Sequence, residues 1–236
     1  MILTIHQPEH LPWLGYFNKM AKAEKYVILD SVQFEKNYFQ NRNKIIGSNG
    51  VQWLAIPVQM KGHMSNTIST TKIAGDERWK KKYLNTIQMS YSKHPFFKEV
   101  FPVVEKAINI ETNLIADINI SIFMAFADKM DMHPEFVRSS NLNIQGLKSD
   151  LILDICKVTN ASMYIAGPSG RDYLDIQSFK EAGIEVKFND YNHPKYPQRK
   201  TKEFVPYLSS LDLFMNCGFE EGREVIMKDN EGLSEF

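Results

Sequence analysis

The sequence predicts an α/β protein with a mostly parallel, twisted sheet and flanking helices. Six short apolar segments have the length of strands, and several are apolar throughout, which is typical of a sheet covered on both faces. Helical patterns alternate with these segments, which favours parallel strands joined by right-handed crossovers. The predicted strands are residues 2–6, 25–30, 51–58, 135–140, 162–166 and 184–189.

Apolar residues at helical spacing, together with capping residues, predict the helices between these strands. Asp76, Thr112, Ser149 and Asp175 are placed to cap helix N-termini, and Gly183 is placed to end a helix. We therefore expect a Rossmann-like single domain over residues 1–236, in which residues 76–133 form a helical insertion or lid. The predicted helices are residues 11–23, 77–90, 95–109, 112–130, 150–160, 176–182 and a last helix from 206 to about 217.

Composition narrows the class of protein. The 236 residues include 28 Lys+Arg and 28 Asp+Glu, so the formal net charge is zero. A general nucleic-acid binder would carry a basic excess, and we therefore expect no nucleic-acid partner. No apolar segment reaches the roughly 18 residues of a membrane span, and no secretion signal is visible at the N-terminus. Cys156 and Cys217 lack metal-ligand spacing and suit buried thiols in a reducing compartment. We expect a cytoplasmic protein that acts on a small-molecule substrate.

Residues 31–50 form a long polar segment between predicted strands. Many of their side chains form hydrogen bonds, and Phe34, Tyr38 and Phe39 give the segment apolar groups for packing. Loops of this length in a compact domain are usually functional or disordered, and the aromatic residues favour function. The charged segment 219–236, by contrast, is expected to fray.

The end of the first strand carries two histidines, His6 and His10, before a helix begins. Ligands of open α/β sheets bind at the carboxyl ends of strands, so both are catalytic candidates, although each could instead be a core histidine that orders the turn. The nucleotidylyltransferases carry a similar pair, usually spaced His-x-Gly-His, whereas here the spacing is four and Pro8 replaces the glycine. A Zn²⁺ site from these two and His193 has no motif to support it, so we predict no metal site. Asp30, at the next strand end, could bind Mg²⁺, orient a histidine or accept a substrate amine.

Other polar residues also lie near predicted strand ends. Arg42, in the long segment, could clamp an anionic substrate or form an ordinary surface ion pair. Arg138 and Ser139, with Lys148 beside a predicted helix N-terminus, could bind phosphate. His193 follows the last strand, among aromatic residues and prolines that suit a sugar or a base.

Several segments, together and in order, resemble the WbqC-like proteins. They are His6-Gln7-Pro8, Leu11-Pro12-Trp13-Leu14-Gly15-Tyr16-Phe17, Asp30 with Gln33, Gln40-Asn41-Arg42-Asn43, Tyr91-Ser92-Lys93, Arg138-Ser139-Ser140-Asn141-Leu142 and Ser210-Leu211-Asp212-Leu213-Phe214-Met215-Asn216-Cys217-Gly218. Genes of this family lie in surface-polysaccharide clusters, and a glycine transferase role is proposed for some members. The resemblance implies further substrate-binding residues, namely Gln7, Trp13, Gln33, Asn41, Tyr91, Lys93, Ser169 and Tyr173.

The resemblance also implies an activity. It suggests a transferase or ligase that attaches an acyl group, glycyl in particular, to the amine of a nucleotide-activated amino sugar in O-antigen (lipopolysaccharide) biosynthesis. In this hypothesis Arg42, Arg138 and Lys148 hold phosphates, while His6 and Asp30 transfer protons or stabilise a phosphate. Amide formation needs an activated carboxyl group, so ATP with Mg²⁺ or a carrier-bound acyl donor is implied. The alternatives are a nucleotidylyltransferase-like enzyme and a non-catalytic sugar-nucleotide binding protein, and the oligomeric state is open.

Overall fold

Five of the six predicted strands form one parallel sheet in the computed structural model, which describes residues 1–59, 66–230 and 232–235. The strands are β1 (Ile2–His6), β2 (Lys25–Ile28), β3 (Arg42–Gly47), β4 (Gly50–Ala55), β5 (Glu135–Arg138), β6 (Met163–Ala166) and β7 (Glu185–Phe188). The order of the parallel sheet is β5-β2-β1-β6-β7. In its register His6 lies opposite Ile28, and Ile28 lies opposite Arg138, so three strands end in one row. The predicted Rossmann-like α/β fold is confirmed.

The prediction is wrong for residues 31–58, because the strand predicted at 51–58 does not join the parallel sheet. Instead, β4 pairs with β3 in a separate antiparallel hairpin, and β3 lies inside the segment that was predicted to be a loop. Ile45 of β3 and Leu54 of β4 share one face and are buried in the core, whereas Val51 and Trp53 of β4 lie on the other face and are exposed. The hairpin therefore covers the core with one face, and Gly50, with a φ of 98°, makes its tight turn.

The described part of the chain contains seven α-helices, close to the predicted positions. They are α1 (Leu14–Ala21), α2 (Arg78–Tyr91), α3 (Phe97–Ile108), α4 (Ile115–Lys129), α5 (Lys148–Val158), α6 (Ile176–Glu181) and α7 (Ser210–Met227). Asp175 caps α6 as predicted, since its side chain accepts from the Ser178 backbone N–H. Ser149 does not cap α5, because it lies inside that helix and accepts from the Asp175 backbone N–H at 2.9 Å.

The predictions for the C-terminal part need correction. The last helix begins at Ser210, not at Pro206, and it continues to Met227 after a break at Gly218, where φ is 76°. A Cβ on Gly218 would lie 2.7 Å from Phe96 Cδ1, so the close packing requires glycine. The segment after the break does not fray in its described part, because Asn230 is buried and donates to Asn192 O at 3.0 Å. Residues 231 and 236 lie outside the described residues.

Two hydrophobic clusters cover the two faces of the sheet. Side chains of α1, α2, α3, α4 and α7 pack with Tyr26 and Ile28 of β2 in one cluster, while Val27 packs with α5 and α6 in the other. The helical block predicted at residues 76–133 thus shares its core with α1 and with β2. Within the described ranges, none of the helices combines the length and the apolar character that a membrane crossing needs.

Candidate functional site

A cavity of about 610 Å³ opens at the carboxyl ends of neighbouring strands of the parallel sheet. Its walls come from the ends of β1, β2, β6 and β7, from the start of α1 and from the segment around Tyr38. This is the place where open α/β sheets bind their ligands. The lining residues are Ile5, His6, Gln7, Glu9, Trp13, Gly15, Tyr16, Lys19, Leu29, Glu35, Tyr38, Phe39, Ile152, Tyr164, Gly167, Pro168, Ser169, Gly170, Tyr173, Asn189, Tyr191 and Tyr207.

Five of the residues selected from the sequence meet in this cavity: His6, Gln7, Trp13, Ser169 and Tyr173. Three lie at or just after the end of β1, and two lie in the turn after β6. The Gln7 carboxamide oxygen accepts a hydrogen bond of 2.8 Å from Gln40, which ties the wall to the start of the hairpin. The cavity therefore draws on segments that are distant in the sequence.

His6 is held as a neutral imidazole at the cavity wall. Its Nδ1 lies 3.2 Å from Gln7 O, which can only accept, so Nδ1 carries the proton and Nε2 keeps a lone pair. The ring packs edge-on against Tyr16, with 4.7 Å between ring centroids. Burial, together with the charge of Lys19, lowers the pKa of His6 from 6.5 to about 3. His6 is thus suited to hydrogen bonding at neutral pH and is a weak base.

Glu9 and Lys19, which were not among the sequence candidates, place a buried acid and a buried amine in the same cavity. Burial raises the pKa of Glu9 to about 7, against the opposing charge of Lys19. Burial likewise lowers the pKa of Lys19 to about 7, against the opposing charge of Glu9. Lys19 Nζ donates to Ile5 O at 3.0 Å, and Glu9 Oε2 is buried without a hydrogen-bond partner in the described part of the chain. Both groups can therefore exchange a proton near neutral pH.

The sequence does contain a signal for both residues. Glu9 lies inside the same short string as the two histidines, between two prolines. Lys19 belongs to α1, in which all residues from Leu14 to Met20 are buried. A lysine in a fully buried stretch of helix is rare unless it is paired or functional. A lysine within an apolar helical segment is thus the signal in the sequence that points to Lys19.

Aromatic side chains form much of the remaining wall. Trp13 packs edge-on against Tyr191 at 5.5 Å between centroids, and Tyr38 packs in the same manner against Phe39 at 5.4 Å. Rigid aromatic rings with a few polar atoms between them are typical of sites for sugar rings or bases. The aromatic residues that line the cavity are Trp13, Tyr16, Tyr38, Phe39, Tyr164, Tyr173, Tyr191 and Tyr207.

His10 lies outside the cavity lining, and both of its ring nitrogens are occupied. Nδ1 lies 3.0 Å from Asn119 Oδ1, and Nε2 lies 2.8 Å from the Tyr83 hydroxyl. Burial lowers the pKa of His10 to about 4, although its bond to Asn119 opposes the shift. Asn119 also donates to Pro8 O at 2.9 Å, so this group of residues fixes the turn after β1 to the helical block.

In the described structure, His6, His10 and His193 are not arranged as a zinc site. Because both ring nitrogens of His10 bind protein groups, that residue has no free nitrogen for a metal. Among the described residues, no group of three or more His, Cys, Asp or Glu side chains is arranged to hold a metal ion.

Asp30, Arg138 and Ser139 form a closed network beside the cavity rather than part of its wall. Arg138 Nε donates to Asp30 at 2.6 Å, and Arg138 Nη1 donates to Asp117 at 2.7 Å. The Ser139 hydroxyl donates to Asp30 at 3.2 Å, and both the backbone N–H and the hydroxyl of Ser140 donate to Asp30. The Arg138 charge is thus shared between two carboxylates and joins β5 to β2 and α4.

Arg42 and Asn41 are positioned by the hairpin, outside the cavity lining. The Arg42 guanidinium lies 4.2 Å from the centroid of the Trp53 ring. Asn41 Nδ2 donates to Ile56 O at 3.0 Å. Both therefore stabilise the hairpin.

The other candidates are also outside the lining. Tyr91 is buried, and its hydroxyl donates to Asp212 at 3.1 Å. His193 supports the wall indirectly, since its Nε2 accepts from the Tyr207 backbone N–H at 3.1 Å. The remaining three candidates are exposed: Gln33, Lys93 and Lys148.

The charged groups of the lining do not fit the triphosphate of the ATP that the resemblance implies. Its charged members are the carboxyl groups of Glu9 and Glu35 and the amine of Lys19. A triphosphate needs several cationic or N–H donors, and two nearby carboxylates would repel it. The nearby guanidinium of Arg138 is already shared between two carboxylates. This set of groups suits an uncharged or cationic ligand better than a polyanion.

A family model and one curated relative match this chain. Residues 7–224 match the model of the WbqC-like protein family. A protein of Mycobacterium tuberculosis (strain ATCC 25618 / H37Rv), named "Uncharacterized protein Rv1507c", is 30% identical over 220 residues, which cover 92% of this chain and 94% of that protein. A search of solved structures finds no match.

Proposed function

This chain belongs to the WbqC-like protein family, and on that basis we propose that it is an amide-forming acyltransferase that acts on the amine of an amino sugar. The observation that supports this proposal is the placement of Glu9 and Lys19 beside His6 in an aromatic-walled cavity. The glycyl group and the nucleotide-linked acceptor are the donor and acceptor that the family resemblance implies. In this proposal the sugar ring occupies the cavity and the nucleotide stays outside its mouth.

Proton transfer is the step that the cavity is best equipped to assist. The attacking amine must lose a proton, and a general base works best when its pKa lies near the working pH. Glu9, with a pKa near 7, meets that condition better than His6, whose pKa lies near 3. The new N–C bond forms as the bond between the acyl carbon and its carrier breaks, and the proton held by Glu9 passes to the leaving group.

The neighbouring groups take supporting roles in this proposal. The Lys19 ammonium lies in the same cavity and stabilises negative charge that develops on the acyl oxygen. His6 orients the acceptor through the lone pair on Nε2. Asp30 and His10, expected from the sequence to be catalytic, instead hold the ends of β2 and β1 in place through their hydrogen bonds.

The acyl group in this proposal arrives already activated on a carrier. The charges of the lining do not suit ATP, so the activating step belongs to another protein. Cys156 and Cys217 are buried free thiols, which suit a protein of the reducing cytoplasm.

The test is a transfer assay followed by mass spectrometry. Purified protein is mixed with amino-sugar nucleotides and either a glycyl thioester of N-acetylcysteamine or glycine with Mg-ATP. We expect glycylated sugar from the thioester alone, and a loss of about 100-fold or more in rate for Glu9→Gln. The matched control Glu220→Gln removes the same charge from an exposed position outside the cavity lining and should stay within about threefold of wild type.

Each of the other outcomes would indicate a different activity of this protein. Product that requires ATP, with AMP release, would overturn the carrier-bound donor and indicate a ligase. Pyrophosphate release without an amide would indicate a nucleotidylyltransferase. Sugar-nucleotide binding without product under either condition would indicate a binding protein.

A further inference from the structure

We propose that Glu9 forms a subsite for the protonated amine of the ligand, so that the cavity accepts free amines and rejects their hydroxyl and N-acylated counterparts. This inference rests on the proposed function for the sugar part of the ligand. Binding of the amine can nevertheless be measured without any acyl transfer.

The first argument is the state of the Glu9 carboxyl group. Glu9 lines the cavity, is only 8% exposed, and has a buried oxygen, Oε2, that meets no hydrogen-bond donor of the described chain. Buried polar atoms of folded proteins nearly always have a partner, and an unpaired one costs free energy. The donor must therefore come from outside the protein, and an ammonium group is among the strongest donors to a carboxylate.

The second argument is that the neighbouring cation is already in use. Lys19 Nζ donates to Ile5 O at 3.0 Å, and among the described residues it makes no direct ion pair with Glu9. The lysine is near enough to lower the pKa of Glu9, yet it leaves the carboxyl oxygen open.

The third argument is the aromatic wall around the same carboxyl group. Tyr16 and Tyr38 line the cavity, and the charge of Glu9 raises the pKa of each, after the larger effect of burial. An ammonium bound to Glu9 would therefore lie near aromatic rings, which attract cations through their faces. A hydroxyl group or an amide N–H can donate a hydrogen bond to Glu9, but it carries no positive charge and gains neither the ion pair nor the attraction to the ring faces.

This subsite favours binding of the acceptor and release of the product. The acceptor enters with a cationic nitrogen and leaves with an uncharged amide nitrogen. One of its protons passes through Glu9 to the departing carrier, and a second is released to solvent. The product thus loses its interaction with Glu9, which favours release. The protein must act on a sugar whose amine is still free, so the preceding reaction is one that installs an amine, such as a transamination.

The experiment compares the binding of matched amines and alcohols by calorimetry. The probes are cyclohexylamine with cyclohexanol, and D-glucosamine with D-glucose and N-acetyl-D-glucosamine. We expect wild-type protein to prefer each amine by about tenfold or more, and Glu9→Gln to lose that preference. The control Glu220→Gln should keep it, because its carboxyl group is exposed to solvent outside the cavity lining.

A second measurement uses the wild-type protein, so its result does not depend on whether Glu9→Gln folds. Isotope-edited infrared spectra of the glutamate side chains should show growth of a carboxylate band when the amine is added, and no change with the alcohol.

Equal affinity for amine and alcohol, binding of neither amine, or a preference that survives in folded Glu9→Gln would overturn the subsite. Amine preference without acyl transfer would overturn the proposed function alone. Acyl transfer with binding that does not depend on Glu9 would overturn the subsite alone.

Discussion

The ends of β1 and β2 lie side by side in the sheet, yet the acidic residues that follow them have opposite surroundings. After β2, Asp30 accepts four hydrogen bonds from Arg138, Ser139 and Ser140. After β1, Glu9 Oε2 has no partner in the described chain. A carboxylate whose acceptor positions are filled belongs to the framework, whereas a buried one with an open oxygen is available to a ligand.

The two histidines repeat this contrast. Both ring nitrogens of His10 bind protein atoms, while the ring of His6 keeps Nε2 as an acceptor at the wall of the cavity. His10 holds the turn between β1 and α1, and Asp30 holds the end of β2 to the end of β5, whereas Glu9 and His6 face the cavity. The comparison can be tested through stability, because framework groups and open groups should respond to substitution with opposite signs.

The largest effect is expected for Asp30→Ala. The substitution leaves Arg138 with one carboxylate partner instead of two and removes four hydrogen bonds from a buried position. Loss of one partner of a buried charged network should lower the free energy of unfolding by about 3–5 kcal/mol, measured by urea denaturation. Asp76→Ala breaks an exposed ion pair with Arg78 and should have little effect. Equal effects of the two substitutions would contradict the assignment of Asp30 to the framework.

Glu9→Gln should change stability in the opposite direction. The pKa of Glu9 is raised from 4.5 to about 7 in the folded chain, so its contribution to stability is lost as the pH rises from about 4.5 to 7 and stays lost above pH 7. The variant lacks this ionisation, and its free energy of unfolding at pH 8 should exceed that of wild type by about 1–3 kcal/mol. The gain should disappear near pH 4, where the Glu9 carboxyl group is protonated in both states. A loss of stability at pH 8 would mean that Glu9 is a framework residue like Asp30.

The two histidines should make stability fall in acid. Their pKa values of about 3 for His6 and about 4 for His10 lie below the ordinary 6.5, so the unfolded chain binds protons that the folded chain does not. Each should lower the free energy of unfolding by about 2 kcal/mol at pH 5 relative to pH 7. Glu9 acts in the opposite sense in this range, because its folded-state pKa is raised.

The contribution of one histidine can be isolated with His6→Asn. Its change in unfolding free energy between pH 7 and pH 5 should be smaller than that of wild type by about 2 kcal/mol. NMR spectra of the wild-type ring nitrogens should show His6 and His10 still neutral at pH 5. A His6 ring that becomes charged at pH 6 would contradict its buried, neutral state.

The smallest effect is expected for Arg42→Lys in the hairpin. A lysine keeps the charge but not the planar group that lies 4.2 Å from the Trp53 ring centroid. The free energy of unfolding should fall by about 0.5–1 kcal/mol, and tryptophan fluorescence should report the changed surroundings of Trp53. If Arg42 instead holds a substrate phosphate, substrate affinity would fall far more than stability.

Much of the fold follows from local patterns in the sequence. The apolar segments of β1, β2, β5, β6 and β7 are continuous enough to predict a sheet that is buried on both sides. The hairpin was missed because β3 begins with Arg42, Asn43 and Lys44, which have the composition of a loop. Its strand character depends on pairing with β4, and pairing is not encoded within either segment alone.

The sequence by itself determined that polar residues gather at the carboxyl ends of a parallel sheet, because every strand of such a sheet presents that end to one edge. Only the tertiary structure decided which of those residues meet each other. The register of β2 and β5 sets Ile28 against Arg138, so Asp30 reaches that arginine and its acceptor positions are filled. Glu9 and Lys19 lie in the turn after β1 and in α1, where burial without a direct ion pair brings both pKa values to about 7. Desolvation and pairing are properties of the folded surroundings, which no single stretch of sequence contains.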